Sequence, residues 1–348
     1  MKPPLEQLLL AAVGKLVGTL VEEMPDRALV AVERTRDAAH GDFASSIAMR
    51  LAKAARKNPH ELAQAIVAAL PASPFVAKAE VANGGFINFF LNPAALVQEI
   101  RRIHELGTAY GHSAIGAGRQ VTIGGVATPT DVAQARRAVY CGALASVLAA
   151  AGYDVHREEP LEAPVVRGVA LYRGQSPVKM ISFRELRNEV GDDACRFFFL
   201  MRSHEQHLDF DLQLATSRTN ENPLYCVQYV HARVASVMKE TRARDLPFDL
   251  AAGLDKLDLL DKQTEQALTG TLLRFPEEIE SAAANCAPHA IVYYLREVAN
   301  AFHTYYTAEK WIVDEVELRN ARLALVLAAG VVIRNGLTLI GVSAPESM

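Results

Sequence analysis

The chain has 348 residues and a formal net charge of −4; half of its residues are hydrophobic and 22% are charged. This composition excludes a disordered or collagen-like chain and predicts buried cores, and the length predicts two or three domains. The mild acidity argues against nonspecific coating of nucleic acid, but it does not exclude a local basic face.

No targeting, metal-binding or nucleotide-loop pattern stands out. The apolar run from Leu8 to Val13 is too short for a membrane helix and lacks the layout of a signal peptide, so we expect a cytoplasmic protein with no membrane partner. The four cysteines form no CxxC pair, the stretch from His204 to His207 lacks the HExxH spacing, and no GxxxxGK loop occurs. The sequence therefore predicts no metal and no cofactor.

Residues 1–110 are predicted to form a compact α+β domain. Apolar residues recur at helical spacing over residues 5–23, a short strand covers 30–34, and helices follow Asp42 and Pro59. The runs 76–81 and 85–91 resemble strands separated by Asn83-Gly84, which is a hairpin signal. A helix over 93–106 completes the domain.

The middle and the C-terminal part differ in their predicted structure. After a glycine-rich connector over 107–118, the middle holds strands at 121–126, 153–157 and 165–172 and an alanine-rich helix from Asp131 to Ala151. From Ser182 onward nearly everything is predicted helical. The predicted helices cover 183–202, 208–217, 222–243, 253–273, 274–284, 287–308, 314–328 and 329–341.

Long, ordered strings in both terminal parts resemble bacterial arginyl-tRNA synthetases. The strings run over 41–48, 83–89, 171–174, 193–202, 207–211, 221–233, 302–306 and 339–348. The resemblance implies a multidomain, α-rich fold with three parts. These are an N-terminal α+β domain that meets the tRNA D-loop (1–110), a degenerate Rossmann-like α/β remnant of the catalytic domain (111–184), and a C-terminal all-α bundle of the DALR anticodon-binding type (185–348).

The two catalytic signatures of that family are degenerate here. Asp131-Val132-Ala133-Gln134 stands where the family has its HIGH-type histidines, and Asp131 places a negative charge where a triphosphate binds, or else is simply a helix cap. Lys179 survives from the KMSKS-type signature, and Arg184 and Arg187 are either near a phosphate or solvated helix charges. Five residues join Glu159 to Val165, where the family carries a long catalytic block. We therefore expect no aminoacyl-adenylate formation.

The resemblance also implies which residues contact tRNA. For the D-loop these are Asn83, Phe86 and Asn88, although a hairpin turn with a core Phe gives the same pattern. Candidates on the anticodon side are Tyr225, Tyr229, His231, Arg233, Tyr305, Tyr306, Trp311 and Met348, with phosphate contacts from Arg202, Lys239, Arg242 and Arg244. Tyrosines at helical spacing are more often core residues, so packing is the alternative for each of them.

Three functions fit these observations. The first is a tRNA-binding adaptor, chaperone or regulator without catalytic activity, with tRNA(Arg) as its expected partner. The second is a residual arginine–tRNA ligase or another tRNA-dependent transfer activity. The third is a protein-interaction scaffold whose partner is the full-length arginyl-tRNA synthetase or another tRNA-processing protein.

Overall fold

The computed structural model describes residues 2–26, 29–35, 38–125, 128–158, 166–179 and 181–348. The chain divides into two compact units, residues 1–98 and residues 99–348. The predicted connector 159–165, the end of the strand predicted at 121–126, and Met180 lie outside the described residues.

The first unit combines three helices with one antiparallel sheet. In chain order it contains α1 (Lys2–Leu16), β1 (Val32–Arg34), β2 (Phe43–Ser45), α2 (Ile47–Ala55), α3 (Pro59–Ala69), β3 (Val76–Val81) and β4 (Ile87–Leu91). The strands lie in the order β1-β2-β4-β3. Apolar side chains of the helices and the sheet, such as Leu9, Phe43 and Ile66, are fully buried in one shared core.

The turn between β3 and β4 depends on two glycines. Gly84 has a φ of +79° and Gly85 a φ of +95°, a backbone conformation that L side chains rarely adopt. A Cβ atom on Gly85 would also lie 2.8 Å from the backbone carbonyl oxygen of Pro59, at the start of α3. The predicted hairpin at Asn83-Gly84 is confirmed, and Gly85 additionally lets the turn pack closely against α3.

The second unit holds the remaining elements. In chain order, starting with the helix that contains the division between the units, they are α4 (Pro93–Leu106), β5 (Gln120–Gly124), α5 (Val132–Ala150), β6 (Asp154–Glu158), β7 (Val169–Arg173), β8 (Ser176–Pro177), α6 (Phe183–Val190), α7 (Asp192–Phe199), β9 (Leu208–Asp211), α8 (Leu212–Thr216), α9 (Pro223–Ala243), α10 (Leu250–Asp255), α11 (Gln263–Leu272), α12 (Phe275–Ala284), α13 (His289–Ala308) and α14 (Val316–Leu339).

Two small sheets flank α5. β5 and β6 pair in parallel as a β-α-β unit around α5, while β7 pairs in parallel with β9 and antiparallel with β8. Because the strands at 121–126 and 165–172 both flank the missing block, the sequence also predicts that they lie near each other. β5 and β7 belong to separate sheets, and both pack against α5.

Several helix predictions in the C-terminal part also need correction. The segment 183–202 is divided at Gly191 into α6 and α7, and the segment 253–273 is divided into α10 and α11. The segment 208–217 begins with the strand β9, because Leu208 and Phe210 are buried while Asp209 between them is exposed, which is the period of a strand. The segment from 316 to 339 is one continuous helix rather than two. Gly330 lies inside α14, where its missing side chain lets the helix approach Val234 of α9.

α14 is the central helix of the C-terminal bundle. Among the described residues it is the one helix long and apolar enough to cross a membrane, but 78% of its apolar window is buried inside the protein. Such burial is typical of a core helix. The predicted fold class, α-rich and multidomain with an N-terminal α+β part and a C-terminal helical bundle, is confirmed.

Candidate tRNA interface and the degenerate nucleotide site

The start of α5 is capped by side chains of the chain itself. The Asp131 carboxylate accepts a hydrogen bond of 2.8 Å from the backbone amide of Gln134. The Gln134 side-chain oxygen accepts bonds from the amide and the hydroxyl of Thr130, at 3.0 and 3.1 Å. The first turn of a helix attracts anions through its free amides and its positive dipole end. A carboxylate already occupies this place, so Asp131 is the cap of α5.

The second degenerate signature leads into a helix that is also capped. Lys179 is exposed and has no hydrogen bond or ion pair within the described residues. Ser182 and Glu185 form a capping box, in which the Glu185 amide donates to the Ser182 hydroxyl and the Ser182 amide donates to the Glu185 carboxylate. Hydrogen bonds from the Ser182 amide and hydroxyl lower the pKa of Glu185. Arg184 and Arg187 of the same helix are exposed.

Arg136, which the sequence analysis did not single out, holds the middle of the chain together. Its guanidinium is 1% exposed and donates to backbone carbonyls of Arg167, Gln206 and Ser203, at 2.8, 2.9 and 2.9 Å. Burial lowers its pKa. These bonds tie α5 to the start of β7 and to the loop before β9. No local pattern signals this role, because all its acceptors are backbone atoms distant in sequence.

In the first unit, two of the three predicted D-loop residues lie at the surface. Asn83 is exposed in the hairpin turn, and the Phe86 ring is 40% exposed. Asn88 is only 7% exposed, since it lies in β4 between Ala44 and Glu80 of the neighbouring strands. The exposed Phe86 ring can stack on an unpaired base, and the exposed Asn83 amide can contact a base edge. The Asn88 side chain is buried in the sheet and is not accessible to a base.

On the anticodon side, an aromatic row runs across two helices. The rings of Tyr225 and Tyr229, one turn apart on α9, have centroids 6.2 Å apart. Tyr229 stacks on His303 of α13 with a centroid distance of 5.5 Å. All three side chains are partly exposed. Burial lowers the pKa of His303, so the ring is neutral near pH 7. His303 was not predicted as a site residue, although it lies inside the string Phe302 to Tyr306.

A second cluster joins Arg233 of α9 to Tyr306 of α13. The Arg233 guanidinium donates a hydrogen bond to the Tyr306 hydroxyl and its carbon lies 4.5 Å from the centre of that ring. Both side chains are partly exposed. Tyr305 and Trp311 are different, since they are 0% and 4% exposed and their side chains are not accessible to tRNA in this conformation. They pack in the bundle core, with centroids 5.4 Å apart.

The C-terminal segment is fastened to α7 and α9. The Gln228 side-chain amide donates to Asp193 and to the Ser343 carbonyl, at 2.9 and 3.0 Å. The ring nitrogen Nδ1 of His231 lies 2.9 Å from the Pro345 carbonyl oxygen. Met348 at the end is 52% exposed. His231 therefore holds in place the segment that ends at the exposed Met348.

The four predicted phosphate contacts are all exposed. These are Arg202, Lys239, Arg242 and Arg244. Lys239 and Arg242 lie in the last turns of α9, and Arg244, directly after the helix, is paired with Glu240 at 2.5 Å. Exposed cations of this kind attract phosphate without selecting a base sequence.

In the described part of the chain, no three His, Cys, Asp or Glu side chains come together as a metal-binding group.

Comparison with known proteins identifies both terminal parts. Residues 4–91 match the arginyl-tRNA synthetase N-terminal domain, and residues 227–348 match the DALR anticodon-binding domain. The arginine–tRNA ligase of Thioalkalivibrio sulfidiphilus is 31% identical over 557 residues, which span 92% of this chain and 95% of that protein. The arginine–tRNA ligase of Coxiella burnetii is 49% identical over 197 residues, which are 55% of this chain and 34% of that protein.

The alignment with the Thioalkalivibrio enzyme is longer than this chain. Since the chain has 348 residues and the alignment extends over 557 positions, at least 209 positions have no residue in this chain. The relative therefore contains a long stretch of sequence that this protein lacks.

Two solved structures share the fold. The arginyl-tRNA synthetase of Thermus thermophilus superposes with a TM-score of 0.74 at 16% identity, and the match covers 100% of both chains. The Plasmodium falciparum arginyl-tRNA synthetase gives a TM-score of 0.71 at 9% identity over 100% of this chain and 99% of the other. These two structures show the fold, and the two domain matches with the sequence identity to the Thioalkalivibrio enzyme establish that the chain belongs to the bacterial arginyl-tRNA synthetase family.

Proposed function

We propose that this protein binds tRNA, with tRNA(Arg) as its preferred partner, and that it does not form an aminoacyl-adenylate. It acts as an adaptor, chaperone or regulator of the tRNA. The observation that carries the loss of catalysis is the start of α5, where the Asp131 carboxylate takes the amide hydrogen bond that a phosphate needs. The carboxamide oxygen of Gln134 accepts hydrogen bonds from the backbone amide and the hydroxyl of Thr130.

The strand arrangement supports the same proposal. A nucleotide site in a doubly wound sheet is a crevice at the carboxyl ends of adjacent parallel strands. In the described part of this chain, the parallel pairs are β5 with β6 and β7 with β9, in two separate sheets. The missing stretch of at least 209 alignment positions fits the loss of the intervening strands and of the arginine pocket.

tRNA binding rests on the two domains that are retained. The N-terminal domain presents Asn83 and the exposed ring of Phe86. The anticodon-binding domain presents the aromatic row Tyr225, Tyr229 and His303, whose partly exposed rings suit stacking on unpaired bases. The exposed cations near the end of α9 supply phosphate contacts, which makes the binding strongly dependent on salt.

A residual arginine–tRNA ligase is the second candidate. The sequence identity to the Thioalkalivibrio ligase, which spans 95% of that protein, is the observation in its favour. Arginine-dependent exchange of pyrophosphate into ATP separates the two candidates. We expect no exchange above a buffer blank at high protein concentration, while an active bacterial arginyl-tRNA synthetase serves as the positive control. Exchange above the blank would contradict the proposal that the protein does not form an aminoacyl-adenylate.

The double substitution Asp131→His, Gln134→His sharpens this test. It restores the residue type of the family signature at the start of α5, but not the missing stretch. We therefore expect no exchange from the double variant either. Exchange in the double variant alone would show that the cap, and not the missing stretch, blocks catalysis.

tRNA binding is tested by electrophoretic mobility shift with tRNA(Arg) and an unrelated tRNA. Substituting Tyr306 with Ala, or deleting Met348, should reduce the preference for tRNA(Arg), whereas Arg242→Gln should weaken both tRNAs alike because phosphates carry no sequence. Lys256→Gln is the control for Arg242→Gln, since Lys256 is a partly exposed cation paired with Glu317 outside the proposed interface. Equal binding of both tRNAs by the intact protein would favour the protein-interaction scaffold.

A further inference from the structure

A cleft runs along one side of α5, within the second unit. It has a volume of about 370 Å³ and lies between α5, the helices α6 and α7, and the end of α14. Its lining on α5 extends from Ala135 to Ser146, about 16 Å at 1.5 Å per helical residue. Pro129, just before the Asp131 cap, borders one end of the cleft, and the rest of its lining on α5 lies beyond the first turn of the helix.

The floor of the cleft is built from small side chains. Ala138, Gly142 and Ala143 form much of it, and Phe183 of α6 adds an aromatic ring. A Cβ atom on Gly142 would have no neighbour within 4 Å, so the glycine opens space and is not required by packing. Glycine inside a helix lowers stability relative to alanine. The floor is thus apolar, and the described residues leave it open over Gly142.

Three arginines and one aspartate border this floor. Arg196 is fixed by a bond of 2.8 Å from its Nε to Asp192, and its guanidinium lies against Gly341. Arg157 reaches the Gly142 carbonyl at 3.5 Å. Neither Arg157 nor Arg187 forms an ion pair within the described part of the chain. Two cations therefore border the apolar floor, and no carboxylate among the described residues pairs with either of them.

We propose that this cleft binds an organic anion, in which a carboxylate or phosphate group is attached to a compact apolar body. Arg157 and Arg187 hold the charged group, since the planar guanidinium pairs well with both kinds of oxyanion. The apolar body lies over Gly142 against Phe183. A volume of this size is at the lower end of the range of small-molecule sites.

Binding in the cleft is noncovalent. The thiol of Cys195 is a potential nucleophile in the cleft lining, but this side chain is fully buried. Burial and, to a smaller extent, the charge of Asp192 raise the pKa of its thiol to about 12. The thiol stays protonated near pH 7 and does not attack a ligand.

The test uses two fluorescent probes of nearly the same shape. Anilinonaphthalene sulfonate carries a negative charge, and phenylnaphthylamine is its neutral counterpart. The intact protein should bind the sulfonate saturably with one site per chain. Arg157→Gln and Arg187→Gln should each weaken the sulfonate by about tenfold, as expected for the loss of one charge-assisted contact, and leave the neutral probe unchanged.

Two further variants make the result decisive. Gly142→Leu fills the floor and should abolish binding of both probes without lowering the melting temperature, because the added side chain meets open space in a helix. Arg184→Gln is the matched control, since Arg184 is exposed on α6 but does not line the cleft. Unchanged sulfonate binding in Gly142→Leu, or an equal effect of Arg184→Gln and Arg187→Gln, would overturn the proposal. So would the absence of saturable binding by the intact protein.

Discussion

Replacing Arg136 should destabilise the second unit more than replacing any exposed arginine. Its guanidinium is buried and makes three short hydrogen bonds to the carbonyls of Arg167, Ser203 and Gln206. Longer contacts of 3.4 Å reach the carbonyls of Phe199, Gly168 and Arg202. Arg136→Met keeps the length and the apolar stem of the side chain but removes every donor.

The size of the effect follows from two opposing contributions. Each hydrogen bond from a charged donor contributes about 1.5–3 kcal/mol, and a carbonyl left buried without a partner costs about 1–3 kcal/mol. Against these losses stands the desolvation cost of the buried guanidinium, which the methionine relieves. We expect a net loss of about 3–5 kcal/mol in the free energy of unfolding, since three charge-assisted hydrogen bonds are removed and their buried carbonyls lose a donor.

Urea denaturation followed by far-UV circular dichroism measures this loss. With a denaturant slope near 3 kcal/mol per molar, the midpoint should fall by about 1 M or more. Arg137→Met is the matched control on the same helix, because no hydrogen bond of the Arg137 guanidinium is found within the described residues. It should change the free energy of unfolding by less than about 1 kcal/mol.

Arg136→Lys separates the contribution of the positive charge from that of the planar guanidinium. Lysine keeps the positive charge but has three donors on one nitrogen, so it cannot reach carbonyls from three directions as the planar fork does. We expect it to remain well below the wild type in stability. A lysine variant as stable as the wild type, or a methionine variant within 1 kcal/mol of it, would refute the view that the guanidinium fork holds these segments together.

Further predictions concern pH and helix packing. Burial, and secondarily the nearby His204, lower the pKa of His289, so protonation favours the unfolded state and stability should fall as the pH drops below the unfolded value of about 6.5. His289→Gln should flatten that decline in urea titrations between pH 7 and pH 5; an unchanged slope would contradict it. Gly253→Ala should cost more than about 1 kcal/mol, because its Cβ would lie 2.4 Å from the Asn320 carbonyl oxygen of α14. Gly270→Ala, with open space around it, should stabilise by about 0.5–1 kcal/mol in thermal melts, and a reversed order of these two variants would contradict the helix packing.

The sequence by itself determined the features that depend on neighbours within a turn or two. The cap at Asp131, the glycine hairpin at Asn83-Gly84, and the span of α5 all follow from local hydrogen bonding and backbone preference. Long strings of the chain also placed it in its family before any contact was known. Such signals are readable because the residues that satisfy one another lie close together along the chain.

Only the tertiary structure decided the rest. Tyr305 and Tyr306 are adjacent in sequence, yet the first is buried and the second is partly exposed, because α13 turns one side toward the core. Arg136 satisfies its charge with carbonyls from residues 167–206, which no local pattern reveals. β5 and β7 lie in different sheets because they pair with different strands, β5 with β6 and β7 with β8 and β9. Burial, distant hydrogen bonds and strand pairing are properties of residues far apart in sequence, and composition and periodicity do not encode which of them meet.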